Sequence, residues 1–277
     1  MSRAAIISVT SGKGGVGKTL TTVNSAIAFR KMGMKVLIID GDLGLANVDV
    51  VLGIKCNFNL RDVIDGHVSI RDIIVDGPMG LRIIPSGSGI SSLTNLTYVQ
   101  RHALLESISQ LDEEFDVIII DTGAGIHDSV RHFNAAADYV VVATTPEPHS
   151  MTDAYALIKV MNEHHGMNHF KLLVNQTRSD VEGRMIAERL IEVANRFLNV
   201  EIEYLGCVPS DPQVSRAVMV RQAASESSSR TVAGQAWNRI AMKMYAECNN
   251  IRRASSENAW STLLWADSFE HVNAPAL

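Results

Sequence analysis

The sequence has few cysteines, no excess of positive charge and no long apolar run, and each lack removes a class of protein. Three cysteines, Cys56, Cys207 and Cys248, lie far apart in 277 residues with no paired spacing. A disulfide framework, a zinc motif or a cysteine-held iron–sulfur cluster is therefore not indicated, and a reducing compartment fits. No apolar stretch approaches the roughly 20 residues that a membrane-spanning helix needs. The first residues pass through a single Arg3 into an apolar strand, without the basic, apolar and small-residue order of a signal peptide. The expectation is a protein made and kept in the cytoplasm. Lysine and arginine number 25 against 30 aspartates and glutamates, a net charge of −5 that gives no global case for nucleic-acid binding. Arg216, Arg221 and Arg230 could form a local basic patch but read as a solvated face.

What the chain does have is material for a core, with 46% hydrophobic and 20% charged residues. Short apolar runs alternate with segments of helical period, the pattern of an α/β protein: a doubly wound, mostly parallel sheet with helices on both faces. Strands are expected at Ala4–Ser8, Lys35–Asp40, Leu81–Pro85, Asp116–Asp121, Tyr139–Ala143, Lys171–Asn175 and Tyr204–Val208. Val36-Leu37-Ile38-Ile39 and Val117-Ile118-Ile119-Ile120 do not alternate in polarity, so they belong where both faces are buried. Both runs end in aspartate. Helices are expected over Thr152–His164, with Ser150 or Thr152 available as N-cap, and over Val181–Leu198. Val232, Ala236, Ile240 and Met244 share one face of a later helix and read as core. The expected organisation is one ATPase domain over residues 1–248 and a tail over 249–277, where Asn249, Asn250 and Ser255-Ser256 break the pattern.

Gly12 to Thr19 satisfies G-x-x-x-x-G-K-[ST] between an expected strand and an expected helix, the context a phosphate loop requires. Gly12, Gly14, Gly15, Val16, Gly17, Lys18, Thr19 and Leu20 are the candidate ATP-binding residues. Glycines let backbone N–H groups wrap phosphates, and the helix opening near Gly17 turns its positive end toward them. Lys18 is expected to neutralise the β and γ phosphates and the Thr19 hydroxyl to ligate Mg2+. Ligands of open α/β sheets gather at the carboxyl ends of strands, so Asp40, Asp42 and Asp121 should converge there.

Lys13 is an addition to a plain phosphate loop. Lys13-Gly14-Gly15-Val16-Gly17-Lys18-Thr19 resembles the deviant Walker motif of the MinD/ParA ATPases, in the SIMIBI group of phosphate-loop NTPases. The resemblance implies an ATP-bound homodimer in which this lysine reaches the partner's nucleotide, in the manner of an arginine finger. It also implies that Asp42 positions the attacking water, that Asp40 lies near the magnesium shell and that Asp121 is the Walker B residue. Aspartates after strands are also ordinary turn and N-cap residues. Asp121-Thr122-Gly123-Ala124-Gly125 resembles the second switch, although MinD proper tends to carry Ser-Pro where this chain has Thr122-Gly123. A guanine site needs a carboxylate to accept the base's N–H donors, and Asn175-Gln176-Thr177-Arg178 has a cation there, so adenine is favoured. Asn175, Pro209 and Asp211 match the family's base-binding positions, with strand-end turn chemistry as the alternative.

Segments outside the general motifs are similar to the flagellar-number regulators of the MinD-like group, known as FlhG, FleN or YlxH. They are Gly44 to Gly53, Asp62 to Gly66, Asp153 to Lys159, His165-Gly166-Met167 and Arg196 to Val214. That resemblance implies restraint of flagellar biogenesis by inhibition of a FleQ-like AAA+ transcription activator, opposite an FlhF-type GTPase. The alternatives are a ParA-type ATPase positioning DNA or cargo, a MinD-type division-site ATPase and a nucleotide-dependent scaffold. In the tail, Trp260, Leu263 and Leu264 share a helical face with Trp265 and Phe269 nearby. Glu257, Asp267 and Glu270 oppose anionic lipid, with Arg252 and Arg253 as the upstream cations. Packing on the core or a partner is favoured over a peripheral place at the inner membrane or pole. His164, His165 and His169 read as solvated surface, not a metal site.

Overall fold

The apolar runs assemble into one eight-stranded sheet. The computed structural model describes residues 3–42, 47–87, 97–220, 231–254 and Trp260. Its strands are β1 (Ala5–Ser11), β2 (Val36–Gly41), β3 (Val75–Asp76), β4 (Arg82–Ile84), β5 (Val117–Ala124), β6 (Tyr139–Thr144), β7 (His169–Thr177) and β8 (Glu201–Pro209). Their order is β3-β4-β2-β5-β1-β6-β7-β8, and every pairing is parallel except β3 with β4. Helices α1 (Lys18–Lys31), α2 (Val48–Leu52), α3 (Leu60–Ile64), α4 (Tyr98–Ser109), α5 (Asp128–Ala135), α6 (Pro148–His165), α7 (Asp180–Phe197), α8 (Pro212–Met219) and α9 (Val232–Ala254) connect and cover it.

Both faces of the central strands are buried, which is why β2 and β5 open on unbroken apolar runs and β1 admits only small hydroxyl residues among its apolar ones. Ala5, Ile7 and Val9 of β1 join Val23 and Ile27 of α1 and Trp237 and Ile240 of α9 in one core. Ala4 and Ile6 point the other way, into a core shared with Leu104 and Ile108 of α4 and Phe133 of α5. Leu157 and Met161 of α6 and Ile186 and Leu190 of α7 form the third, over β6 and β7.

Several boundaries differ from the sequence expectation. β3 was not expected, because two antiparallel edge residues are too short to leave a period. β5 runs past Asp121 to Ala124, where it pairs Ser11 after a shift of register. The expected N-caps Ser150 and Thr152 lie inside α6, which opens with Pro148 after Glu147. Proline at the first helical position needs no N–H and has the right φ already. Ser150 Oγ instead accepts from the Thr145 N–H at 3.0 Å, and Thr152 donates to the Pro148 carbonyl at 3.1 Å. Val232 is 58% exposed, and the buried face of α9 runs through Ala233, Ala236, Trp237, Ile240 and Met244.

α9 continues unbroken through residue 248 to Ala254, so the boundary expected at 248/249 falls inside a helix. Trp260 is fully buried in the core of Ala4, Ile6 and Leu104, and its indole N–H donates 3.0 Å to Asp112. The rest of the tail, including Glu257, Leu263, Leu264, Trp265, Asp267, Phe269 and Glu270, lies outside the described residues, as do Arg221, Arg230 and the Arg253 side chain. No helix among the described residues is long and apolar enough to cross a membrane.

Candidate functional site

Residues 12–17 link the end of β1 to the start of α1 at the carboxyl edge of the sheet, beside the point where strand order reverses. Gly17 is the N-cap of α1 at φ +91°, with no side chain capping the helix, and no acidic residue occupies the first turn. An α-helix leaves its first N–H groups without intrahelical partners, so this terminus is left to an external anion. Two glycines are enforced by their neighbours. A Cβ on Gly17 would lie 2.2 Å from Asn175 Nδ2, and one on Gly12 would lie 2.1 Å from the Asp153 carbonyl oxygen of α6. The loop is further held by the Gly125 N–H donating to the Ser11 carbonyl at 3.0 Å and by Ser11 Oγ donating to the Lys13 carbonyl at 2.7 Å.

Lys18 is 8% exposed, and its ammonium donates 3.0 Å to Ser11 Oγ. Burial pushes its pKa down, and the charges of Asp121 and Asp42 only partly oppose that shift. The Thr19 hydroxyl donates 2.6 Å to Asp121 Oδ2, and Thr22 reaches the other oxygen at 3.4 Å. Asp121 stands in register with Val9 of β1 and Asp40 of β2. Burial raises its pKa to about 6, opposed by the Thr19 bond and Lys18. Asp40 is fully buried; burial and then Asp121 raise its pKa to about 8. Its carboxylate accepts the N–H groups of Asp42, Asn47 and Val48 at 3.1, 3.0 and 3.2 Å. Asp40 therefore pins both ends of the segment after β2, a role its sequence position did not announce. Asp42 packs over Gly123, where a Cβ would meet its carboxylate at 3.6 Å.

Hard oxygens of a threonine hydroxyl and a strand-end carboxylate, side by side with a second carboxylate in register, fit Mg2+. That ion is commonly held by one or two protein oxygens with phosphate and water completing its shell. No group of three or more His, Cys, Asp or Glu able to hold a metal occurs among the described residues.

Lys13 turns away from this cluster. Its ammonium pairs with Glu147 at 2.5 Å, both side chains being substantially exposed, and the lysine depresses the Glu147 pKa. Glu147 was not foreseen, since 134 residues separate the pair and nothing local marks it. Asn175 and Gln176 come to the loop from β7. Asn175 Nδ2 donates 2.8 Å to the Val16 carbonyl, and Gln176, at φ +57°, reaches the Gly15 carbonyl at 3.3 Å. A non-glycine residue in the left-handed region marks strain held in place by its surroundings, here at the loop. Pro209 ends β8 beside Thr177, while Asp211 caps α8, accepting from Gln213 at 2.9 Å and from Ala233 of α9 at 3.3 Å. Val16 is buried and Leu20 half-buried on the α1 side. Gly44, Leu45 and Ala46 lie outside the described residues. His164, His165 and His169 are exposed.

A doubly wound sheet with a phosphate loop on its central strand, a buried lysine and a strand-end carboxylate bonded to the loop threonine defines a phosphate-loop ATPase. The AAA domain family matches residues 4–173. Antiactivator FleN of Pseudomonas aeruginosa is 44% identical over 239 residues, covering 86% of this chain and 85% of that protein. Flagellum site-determining protein YlxH of Helicobacter pylori is 36% identical, with 85% and 80% covered. Among solved structures, MinD of Pyrococcus horikoshii complexed with Mg-ADP superposes with a TM-score of 0.73 at 28% identity, over 90% of this chain and 98% of that one. The chain belongs to the MinD/ParA family of deviant Walker ATPases, in the branch of FleN and YlxH, and it hydrolyses ATP.

Proposed function

We propose that this ATPase is a dimerising switch that limits flagellar number, its ATP-bound dimer binding and inhibiting a flagellar AAA+ transcription activator and working opposite an FlhF-type GTPase. The observation that carries the reading is Lys13: it is on the phosphate loop, exposed, and bonded to Glu147 instead of turning into its own subunit's site. A cation so placed is available to a second subunit, where it would stabilise charge developing on the γ-phosphate. Relatives named as an antiactivator and as a flagellum site-determining protein support the flagellar output.

Within the site, Lys18 and the amides of residues 12–20 hold the phosphates, and Thr19 and Asp121 hold Mg2+, with Asp40 behind them. The ion, when bound, offsets phosphate charge in the transition state. Asp42 orients the attacking water and accepts its proton late. Asn175, Pro209 and Asp211 border the adenine. Asn175 does so while its amide braces Val16, and guanine is disfavoured because the cationic Arg178 follows where a carboxylate would be needed. The catalytic body extends through α9 to Ala254, and the burial of Trp260 in its core supports a cytoplasmic place over a membrane-bound one.

Light scattering of the full chain with Mg-ATP tests the switch. A shift from monomer to dimer that Lys13→Ala abolishes is expected, and a monomer under every nucleotide condition would overturn it. Deleting the gene tests the output: extra flagella counted by electron microscopy are expected, and normal flagellation would remove the flagellar role while leaving the ATPase intact.

A further inference from the structure

β8 is the outermost strand of the sheet, with β7 on one side and no strand on the other among the described residues. An edge strand offers unpaired N–H and C=O groups, and proteins usually cover, bulge or charge such edges. Here a groove of about 400 Å3 runs beside residues 204–207, between α7 and α9. The ladder is bulged at this point, because Leu172 and Leu173 are consecutive on β7 but pair with Tyr204 and Gly206. Leu205, left out of the ladder, gives its carbonyl to the ammonium of Lys243 in α9, 2.7 Å away.

The groove is cationic. Arg184 of α7 lies over the Tyr204 ring at 5.8 Å, and Arg239 and Lys243 line the α9 side. Neither Arg184 nor Arg239 has a carboxylate partner among the described residues. The single acidic residue lining the groove, Asp180, accepts from the Cys207 thiol at 3.2 Å. Apolar side chains flank these charges on both helices: Val181 is 78% exposed, Met185 43% and Met242 59%.

We propose that this groove docks an extended, acidic segment of a partner protein, which adds as a ninth strand along β8 and sets its carboxylates against Arg184, Arg239 and Lys243. Strand addition draws affinity from main-chain hydrogen bonds and specificity from alternate side chains. Charge complementarity selects the occupant. A second copy pairing its own β8 about a two-fold axis would oppose these cations with themselves. A free phosphate would fill only part of a groove that follows four strand residues, about 13 Å at the usual rise. Arg184 and Arg239 come from the flanking helices and border the added strand's path, whereas Lys243, which holds the Leu205 carbonyl, has to release it to the incoming strand and turn to that strand's carboxylates. None of these residues belongs to the phosphate loop, so the proposal stands or falls apart from the ATPase reading.

The probe is a displayed library of random 12-residue peptides selected on the full chain. Selected peptides should alternate Asp or Glu with apolar residues and slow amide exchange across residues 203–207. Arg184→Glu/Arg239→Glu should weaken a selected peptide at least ten-fold with ATP turnover unchanged, and Lys243→Glu serves as a second variant should the double change impair folding. Proline at the centre of the peptide should abolish binding. Selection without acidic preference, protection elsewhere, affinity indifferent to charge reversal, or a proline peptide binding as well would each overturn the proposal. So would competition by inorganic phosphate alone, or a dimer of the chain that charge reversal dissolves.

Discussion

Lys13 and Lys18 share one loop, but one is half-exposed and paired with an exposed carboxylate while the other is buried and bonded to the Ser11 hydroxyl. Their losses should therefore differ. Lys18→Ala is expected to weaken ATP binding by about 100-fold, as expected for loss of a buried charge-assisted contact to phosphate. Lys13→Ala should leave binding to the monomer within about two-fold and lower turnover more than ten-fold, because its contribution is made to the partner's nucleotide, once the dimer has formed and as charge develops there. Calorimetry for binding and phosphate release for turnover check both. Glu147→Gln breaks an exposed ion pair, a weak restraint, so the protein concentration at which ATP drives dimerisation should fall by under about five-fold in light scattering. The phosphate loop was legible in the sequence because its chemistry is packed into eight consecutive residues. Glu147 was not, since only the folding of β6 and α6 brings it to Lys13.

Whole elements position those residues, and close backbone approaches are their weak points. Gly12→Ala would press a methyl onto a main-chain carbonyl of α6 at 2.1 Å, and a packed helix cannot give way there as a side-chain tip can. A lower melting temperature and loss of ATP binding are expected together, measured by thermal denaturation with and without Mg-ATP. The strands were legible wherever double burial produced runs such as Val117 to Ile120. Helix starts were less so: Ser150 and Thr152 have N-cap chemistry, but Pro148 opened the helix and freed both hydroxyls for other carbonyls and amides. Asp40 shows the same limit. Its place after a strand was readable, whereas its capture of three amides required the return of residues 47 and 48.

At the scale of the molecule, Trp260 and the start of β1 are fastened at the sheet end opposite the phosphate loop. The Ala4 N–H donates to the Asp112 carbonyl at 2.9 Å, and the Asp112 carboxylate accepts from Trp260. Burial lifts the Asp112 pKa to about 6, against the pull of Trp260 and Arg3, and one of its oxygens has no partner among the described residues. A carboxyl raised in the folded state favours folding below its unfolded value near 4, and that contribution is lost as pH rises through about 6. Asp112→Asn keeps an acceptor for the indole and removes the titration. Between pH 4 and 7 the wild type should lose about 1–3 kcal/mol relative to this variant, read from urea midpoints at each pH. Trp260→Ala should cost about 3–5 kcal/mol in the same assay.

The burial of Trp260 against Ala4 and Ile6 also bears on the order of events during synthesis. β1, which leads into the phosphate loop, leaves the ribosome well before α9, yet one side of its packing is completed by a residue made more than 250 positions later. A nascent chain halted before residue 260 would hold the whole loop but only part of the packing beneath it. Tight nucleotide binding should therefore arrive late in translation, and chains truncated just before residue 260 should bind Mg-ATP more weakly than the full chain in calorimetry.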